Sequence, residues 1–318
     1  MDQQCNAALP EGFVLNEYTI DRQLSLGGFS IVYLAHDRLF RDVVIKEFLP
    51  NSVALRAPGE IRPVVRAEHA GIFRHGMKSF FEEGLALSRL SHPNVVRVTN
   101  FFRANDTVYL VMEYMRGCTL QTFIRKHRDY ISENFIRNVF TRLLNGLRAV
   151  HTQKLLHLDI KPSNIYLRAD KNPVLIDFGS VRQALISADS MLKPMYTPGF
   201  ASPEHYGNRK FLGPWSDIYS MGASMYTCLS GSPPQSSDER QENDRLVPAA
   251  RRWEGEFSEH LLKTIDQCLA LNYLDRIQSA FALQKALTSD EGAPPSRGGN
   301  GSLWLHLLNK LTGGKKSP

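Results

Sequence analysis

The run His157-Leu158-Asp159-Ile160-Lys161-Pro162-Ser163-Asn164, with the Asp177-Phe178-Gly179 triplet placing a second acid 18 positions after Asp159, constrains this chain more than any other feature. An acid, a lysine and an amide stand at fixed offsets in one polar loop, and Asp177 follows between apolar runs that read as short strands. Phosphoryl transfer needs such a set. A carboxylate (Asp159) orients the attacking hydroxyl, a cation (Lys161) meets charge developing on the transferred group, and hard oxygen donors (Asn164, Asp177) suit magnesium. Chemistry of this kind is positioning and electrostatics, so the loop has to be rigid.

In these two motifs the chain resembles the eukaryotic-like (Hanks-type) serine/threonine protein kinases of bacteria. The family pattern is His-Arg-Asp-x-Lys-Pro-x-Asn, and Leu158 stands here in the place of the arginine. Lys161, two residues after Asp159, is the Ser/Thr-type form. The resemblance implies an α+β, bilobal protein kinase fold with a five-stranded antiparallel amino-terminal sheet, one main helix beside it, and a mostly helical carboxy-terminal lobe. It implies ATP as donor, magnesium or manganese as the ion, and protein substrates with Ser or Thr acceptors. The corresponding division is an extension over 1–12, a kinase domain over 13–288 (lobes 13–115 and 116–288), a linker over 289–302, and a short amphipathic basic tail over 303–318.

With 318 residues, 42% of them hydrophobic, the chain can bury a large core and divide into two lobes. A net charge of +6 biases encounters toward acidic partners. No basic run is interleaved with stacking aromatics, so nucleic-acid binding is not expected. The four cysteines, Cys5, Cys118, Cys228 and Cys268, form no CxxC pair, which argues against zinc and a disulfide framework and fits a reducing compartment. Met1 to Pro10 carries no basic and apolar leader pattern, and no run of 18 apolar residues occurs, so neither a secretory signal nor a membrane span is expected, although many bacterial relatives carry a span after the kinase domain. A cytoplasmic signalling enzyme fits these features, and so does one delivered into another cell.

Tyr18 to Leu26 and Ser30 to His36 read as strands flanking Gly27-Gly28. By resemblance this is the glycine-rich loop, with Leu26, Gly27, Gly28 and Val32 against ATP, yet Ser25 and Ser30 occupy its outer glycine positions. A plain hairpin turn reads equally from the residues. In the next strand, Val43 to Phe48, Lys46 sits in an apolar run and needs a carboxylate and a phosphate nearby. The resemblance supplies Glu83 as that carboxylate, on a helix whose Phe80, Gly84 and Leu87 share one face and which exits through His92-Pro93-Asn94. Lys46 and Glu83 are 37 positions apart, so about 49–75 is an insertion rich in arginine: a regulatory or docking element at that helix, or a solvated loop. Val95 to Phe102 and Thr107 to Tyr114 complete the sheet, turning at Ala104 to Asp106. Family position makes Met112 the gatekeeper, with the backbones of Glu113 and Met115 bonding adenine.

Ser132 caps a helix to about His151 with Ile136, Val139, Leu143, Leu147 and Val150 in one stripe. His157 reads as a packed structural histidine rather than a base. Ile165 to Leu167 and Val174 to Ile176 form a hairpin that presents Asn164 and Asp177 to one metal. From Asp177 to Glu204 runs a 28-residue activation segment ending Ser202-Pro203-Glu204, where the family has Ala-Pro-Glu. The resemblance implies that Thr197 bonds Asp159 and Lys161, that Glu204 pairs with Arg276, and that Asp217 holds the catalytic-loop backbone from the first turn of a central helix, Trp215 to Ser230. Residues 231–257 give no clear helices; Glu259 to Leu271 and Ile277 to Leu287 close the domain. The tail Leu303 to Leu311 with Lys315-Lys316 is a candidate to dock on the kinase, a partner or a membrane surface.

In relatives, a phosphate on the activation segment pairs with the arginine that Leu158 replaces. Activity is therefore expected not to depend strictly on phosphorylation there, although Ser187, Ser190 or Tyr196 are available. Two alternatives remain beside an active protein kinase: a pseudokinase acting as a nucleotide-binding or scaffolding module, given Ser25, Ser30 and Leu158, and a small-molecule kinase of the same fold, against which the Thr197 to Glu204 segment argues.

Overall fold

The computed structural model describes residues 6–178 and 196–289. They form two compact units, one of residues 6–91 and 96–114, the other of residues 92–95, 115–178 and 196–289.

The first unit is built on a six-stranded antiparallel sheet in the order β1-β2-β3-β4-β8-β7, with β1 Val14–Leu15, β2 Tyr18–Leu26, β3 Ser30–His36, β4 Asp42–Phe48, β7 Val98–Ala104 and β8 Thr107–Glu113. Five of these are the strands expected from the sequence, β7 running later than the Val95 to Phe102 run suggested. The sixth is β1, a two-residue pairing of Val14 with Thr19 and Leu15 with Tyr18. The period of two along β4 separates its faces. Lys46 and Phe48 turn toward helix α1 (Ala70–Ser88), where Phe48 meets the rings of Phe73 and Phe80 at 5.4 and 5.6 Å. Ile45 and Glu47 turn the other way, into a core with Ile31, Tyr33, Tyr109 and Val111 that is wholly closed to solvent.

Segment 49–75 is structured in part and solvated in part: Leu49, Val53, Ala54 and Arg56 are buried, whereas residues 57–62 face solvent. A short hairpin, β5 Ala54–Leu55 with β6 Val64–Val65, leads through a 3-10 turn into α1, which begins at Ala70 within that segment. The sequence concealed this because the first turns of α1 carry Gly71, Arg74, His75 and Gly76, weak helix formers or polar residues that blur an apolar stripe.

In the second unit, β9 Gly117–Thr119, β10 Ile165–Arg168 and β11 Pro173–Leu175 form a small sheet in the order β11-β10-β9. Around it lie α2 Leu120–Lys126, α3 Glu133–Thr152, α4 Pro203–Tyr206, α5 Pro214–Ser230, α6 Ser237–Glu242, α7 Ala249–Arg252, α8 Glu259–Cys268 and α9 Ala280–Thr288. Thr119, Ser132, Ser258 and Ser279 cap α2, α3, α8 and α9 by accepting a backbone N–H three residues on. The buried stripe of α3 includes Ile136, Val139, Leu143, Leu147 and Val150. Helix α5 is buried on every face from Ser216 to Leu229, and the hydroxyls of Ser220, Ser224 and Thr227 are satisfied by the carbonyls one turn back, at 3.2, 2.8 and 2.7 Å. Helices α6 and α7 lie in the stretch 231–257; each is six residues or shorter, too brief for a periodic signal.

Candidate active site

The catalytic-type loop lies between α3 and β10. Its backbone is held by Asp217, which is fully buried in the first turns of α5 and accepts the amides of His157 and Leu158 at 2.9 and 2.8 Å and the imidazole of His151 at 2.8 Å. Burial alone would raise this carboxyl; the His151 hydrogen bond and imidazole, with the His157 amide, hold it below the usual carboxylate range. Leu158 adopts φ +61°, a left-handed conformation unusual for leucine, and the Asp217 bond to its amide fixes it. The His157 ring is sealed from solvent, stacks on Phe178 at 4.3 Å, and has its basicity depressed by burial, as suits a neutral packing group.

Around Asp159 the polar groups converge. Lys161 Nζ lies 3.1 and 3.0 Å from the two carboxylate oxygens and donates to Thr197 Oγ1 at 2.8 Å, while that hydroxyl donates to Asp159 Oδ1 at 3.2 Å. Asn164 Nδ2 donates to the Asp159 carbonyl and to Oδ2, each at 2.9 Å, and reaches the Asp177 carbonyl at 3.4 Å. With its amide nitrogen spent on Asp159, Asn164 offers its oxygen, which accepts from Ser163 Oγ at 3.4 Å, and at Asp177 a φ of +61° turns the chain sharply. An amide oxygen and a carboxylate are hard donors of the kind a divalent cation takes. Among the described residues there is no cluster of three His, Cys, Asp or Glu side chains, so a softer, all-protein metal cage is not formed there.

The end of the activation segment is anchored by Glu204. Both of its oxygens accept from Arg276, at 2.7 and 2.8 Å, and Ser216 adds a hydrogen bond at 3.0 Å. Burial would raise the Glu204 carboxyl, but Arg276 and the hydrogen bonds hold it low. Ser187, Ser190, Gly179, the linker after Ser289 and the tail lie outside the described residues.

In the first unit, Lys46 and Glu83 are 9% and 7% exposed. The Lys46 ammonium stands over the Phe80 ring at 5.6 Å, and Glu83 follows Phe80 by three residues on α1. Leu26 closes β2 and is partly exposed, Val32 pairs with Lys46 across β3 and β4, and the Gly27 amide meets the Ser30 carbonyl at 2.9 Å. Met112 and Glu113 end β8, the Glu113 amide bonding the Arg97 carbonyl. In the second unit the Met115 carbonyl accepts from Tyr166.

Sequence reasoning missed several participants. His151 reads in the sequence only as the end of an apolar helix, next to Val150, the last residue of the buried stripe. Ser216 was not singled out. Glu47, a second charge in the apolar strand beside Lys46, is the centre of a buried network with Arg56, Tyr33 and Tyr109.

A protein kinase domain model matches residues 18–288, and the chain belongs to the protein kinase family. It is similar to the serine/threonine-protein kinase PknA of Nostoc sp., 28% identical over 284 residues that cover 86% of this chain and 47% of that protein. Serine/threonine-protein kinase C of Synechocystis sp. is likewise 28% identical, over 296 residues covering 89% and 52%. The chain spans about half the length of these relatives. Among solved structures, PpkA-294 in its apo form superposes with a TM-score of 0.80 at 35% identity, covering 88% of this chain and 99% of that one. The PknI kinase domain of Mycobacterium tuberculosis shares the fold, with a TM-score of 0.65 at 20% identity over 88% of this chain and 98% of that one.

Proposed function

We propose that this chain is an active serine/threonine protein kinase that transfers the γ-phosphoryl group of ATP to Ser or Thr hydroxyls of proteins. The observation that carries the reading is the closed set Asp159, Lys161, Thr197 and Asn164, in which every polar atom named is directed at another of the set. In this reading Asp159 orients the acceptor hydroxyl and receives its proton, a bond forms from that oxygen to the γ-phosphorus, and the bond from phosphorus to the β,γ-bridging oxygen breaks to release ADP. Lys161 meets the charge on the transferred group, and Thr197 keeps lysine and carboxylate in register. Asn164 and Asp177 would hold magnesium or manganese, which when bound neutralises phosphate charge. Lys46, steadied by Glu83, takes the α- and β-phosphates; Leu26, Gly27, Gly28 and Val32 cover the nucleotide; Met112, Glu113 and Met115 receive adenine. Glu204, Arg276 and Asp217 are structural supports.

Leu158 offers no donor to a phosphate, so activity is expected to survive removal of phosphate from the activation segment. Phosphatase treatment should leave transfer largely intact; loss of most of it would contradict this part. Among the described residues no helix is long and apolar enough to cross a membrane. Within segment 49–75 the reach of a regulatory partner is limited to solvent-facing side chains such as Arg62, Val64 and Arg66, because Arg56 is buried.

The test is incubation of the purified protein with labelled ATP and a generic protein acceptor, beside Asp159→Asn and Lys46→Ala. Label appearing on Ser or Thr, and lost in both variants, is the expected result. ATP binding with no transfer by the parent protein would point to the scaffold reading instead.

A further inference from the structure

We propose that Asn6 and Arg56 are positioning residues for the nucleotide, acting through the turn that follows β4 on the glycine turn Gly27-Gly28-Phe29. The inference rests on the kinase reading above, which places ATP against that turn and Lys46.

Two backbone bonds tie the glycine turn to the start of segment 49–75. Leu49 N–H donates to the Phe29 carbonyl at 2.9 Å, and Asn51 N–H donates to the Gly28 carbonyl at 3.0 Å. A turn with serines at two of its three glycine positions is thus held from behind by its neighbour in the sheet. That neighbour is fixed in turn by Asn6, a buried residue from the start of the chain, whose amide nitrogen donates to the carbonyls of Leu49 and Ala54 at 3.2 Å each. The Asn6 oxygen accepts the Arg56 amide at 2.6 Å, so all the Asn6 side-chain bonds converge on residues 49–56.

Arg56 closes the arrangement. Its guanidinium is buried and spends its donors on both Glu47 oxygens at 2.6 and 2.7 Å, on Tyr33 Oη at 3.0 Å, on the Ala7 carbonyl at 2.8 Å and on the Ile61 carbonyl at 3.3 Å. Glu47 also accepts from Tyr33 and Tyr109, at 2.7 and 2.8 Å, and the Tyr33 hydroxyl accepts the Leu9 amide. Charge, hydroxyls and fork are mutually satisfied, which is the condition under which a buried ion pair fixes one geometry. Glu47 adjoins Lys46 on β4. One buried cluster therefore sets both the register of the strand carrying Lys46 and the position of the glycine turn.

The consequence is specific to nucleotide binding. Loosening the cluster gives the glycine turn freedom that binding must remove, which weakens ground state and transition state alike and raises KM for ATP with kcat little changed. Asn6→Ala, which deletes the side-chain bonds, and Asn6→Asp, which keeps the acceptor for the Arg56 amide but turns a carboxylate oxygen onto the two carbonyls that the amide nitrogen served, are the variants to measure. Each should raise KM for ATP about five- to twentyfold with kcat within about twofold, and should speed amide exchange at Leu49 and Asn51 about tenfold or more. Tyr18→Phe, which removes the 3.1 Å bond from Asn100 elsewhere in the same sheet, controls for general destabilisation and should leave KM unchanged.

Unchanged KM in both Asn6 variants, or an equal rise in Tyr18→Phe, would overturn the proposal. Lys46→Ala measured alongside separates the two levels. If it leaves transfer intact, the kinase reading of Lys46 is wrong; if it abolishes transfer while the Asn6 variants behave as the parent, only the positioning role is.

Discussion

At the residue scale the site depends on a few hydrogen bonds whose removal has separable effects. Thr197→Val keeps the volume and deletes one hydroxyl shared by Asp159 and Lys161. A hydrogen bond to a charged group contributes about 1.5–3 kcal/mol to the folded state, so the urea midpoint should fall accordingly, and the loss of register between Lys161 and Asp159 is expected to lower kcat about 10- to 100-fold. Arg276→Met strands Glu204, 6% exposed, without its partner, and is expected to cost about 3–5 kcal/mol of stability in urea melts. Individual charged positions were legible in the sequence because each stands in a fixed offset to a neighbour, as Asp159, Lys161 and Asn164 do. Partners distant in the chain were not: nothing near His151 says that it will meet Asp217, 66 positions on.

At the element scale, the catalytic-type hairpin is tied to α3 through a close approach at Gly146. A Cβ added there would lie 2.8 Å from the Asn94 carbonyl oxygen and 3.0 Å from Asn94 Cβ. Asn94 in turn donates to the Pro173 carbonyl at 2.8 Å and accepts the Leu175 amide at 2.9 Å, so it fixes β11, which leads into Asp177. Gly146→Ala gains about 1 kcal/mol of helix propensity, but pushing backbone aside costs about 1–3 kcal/mol. A net fall in melting temperature together with lowered kcat is expected; a stabilised, fully active variant would show that β11 tolerates the shift. Strand β3 and the helix capped by Ser132 were readable, because the period-two alternation of the one and the apolar stripe of the other are clean. The start of α1 was not, and neither was the burial of Arg56. Its contacts, Asn6 and Glu47, lie 50 and 9 positions away, and an arginine among other arginines reads as solvated.

At the scale of the whole molecule, acid should unfold the protein in two stages. Burial lowers the basicity of His157 and His205 from an ordinary value of 6.5. The unfolded chain therefore takes up protons at these sites before the native one, and stability falls as pH drops below about 6.5. Glu204 and Asp217 are held below their ordinary values of 4.5 and 3.8. What they contribute is present above those values and is lost as pH falls through and below them. Melting temperature should decline from about pH 6.5 and again below about pH 4.5; a flat profile from pH 7.5 to 5 would show that the two histidines titrate alike in both states. At this scale the fold class was legible only through the family resemblance that the Asp159 to Asn164 run and Asp177 carry, because the spacing of a few polar groups does not by itself set an architecture.

The measurement that bears most directly on the central claim pairs calorimetric binding of Mg-ATP with single-turnover transfer, in the parent and in Asp159→Asn. The carboxylate is assigned to the acceptor hydroxyl and not to the nucleotide, so affinity should match within about threefold while transfer falls about 10²- to 10⁴-fold. Equal transfer rates in the two proteins, or a parent that binds Mg-ATP and transfers nothing, would contradict it.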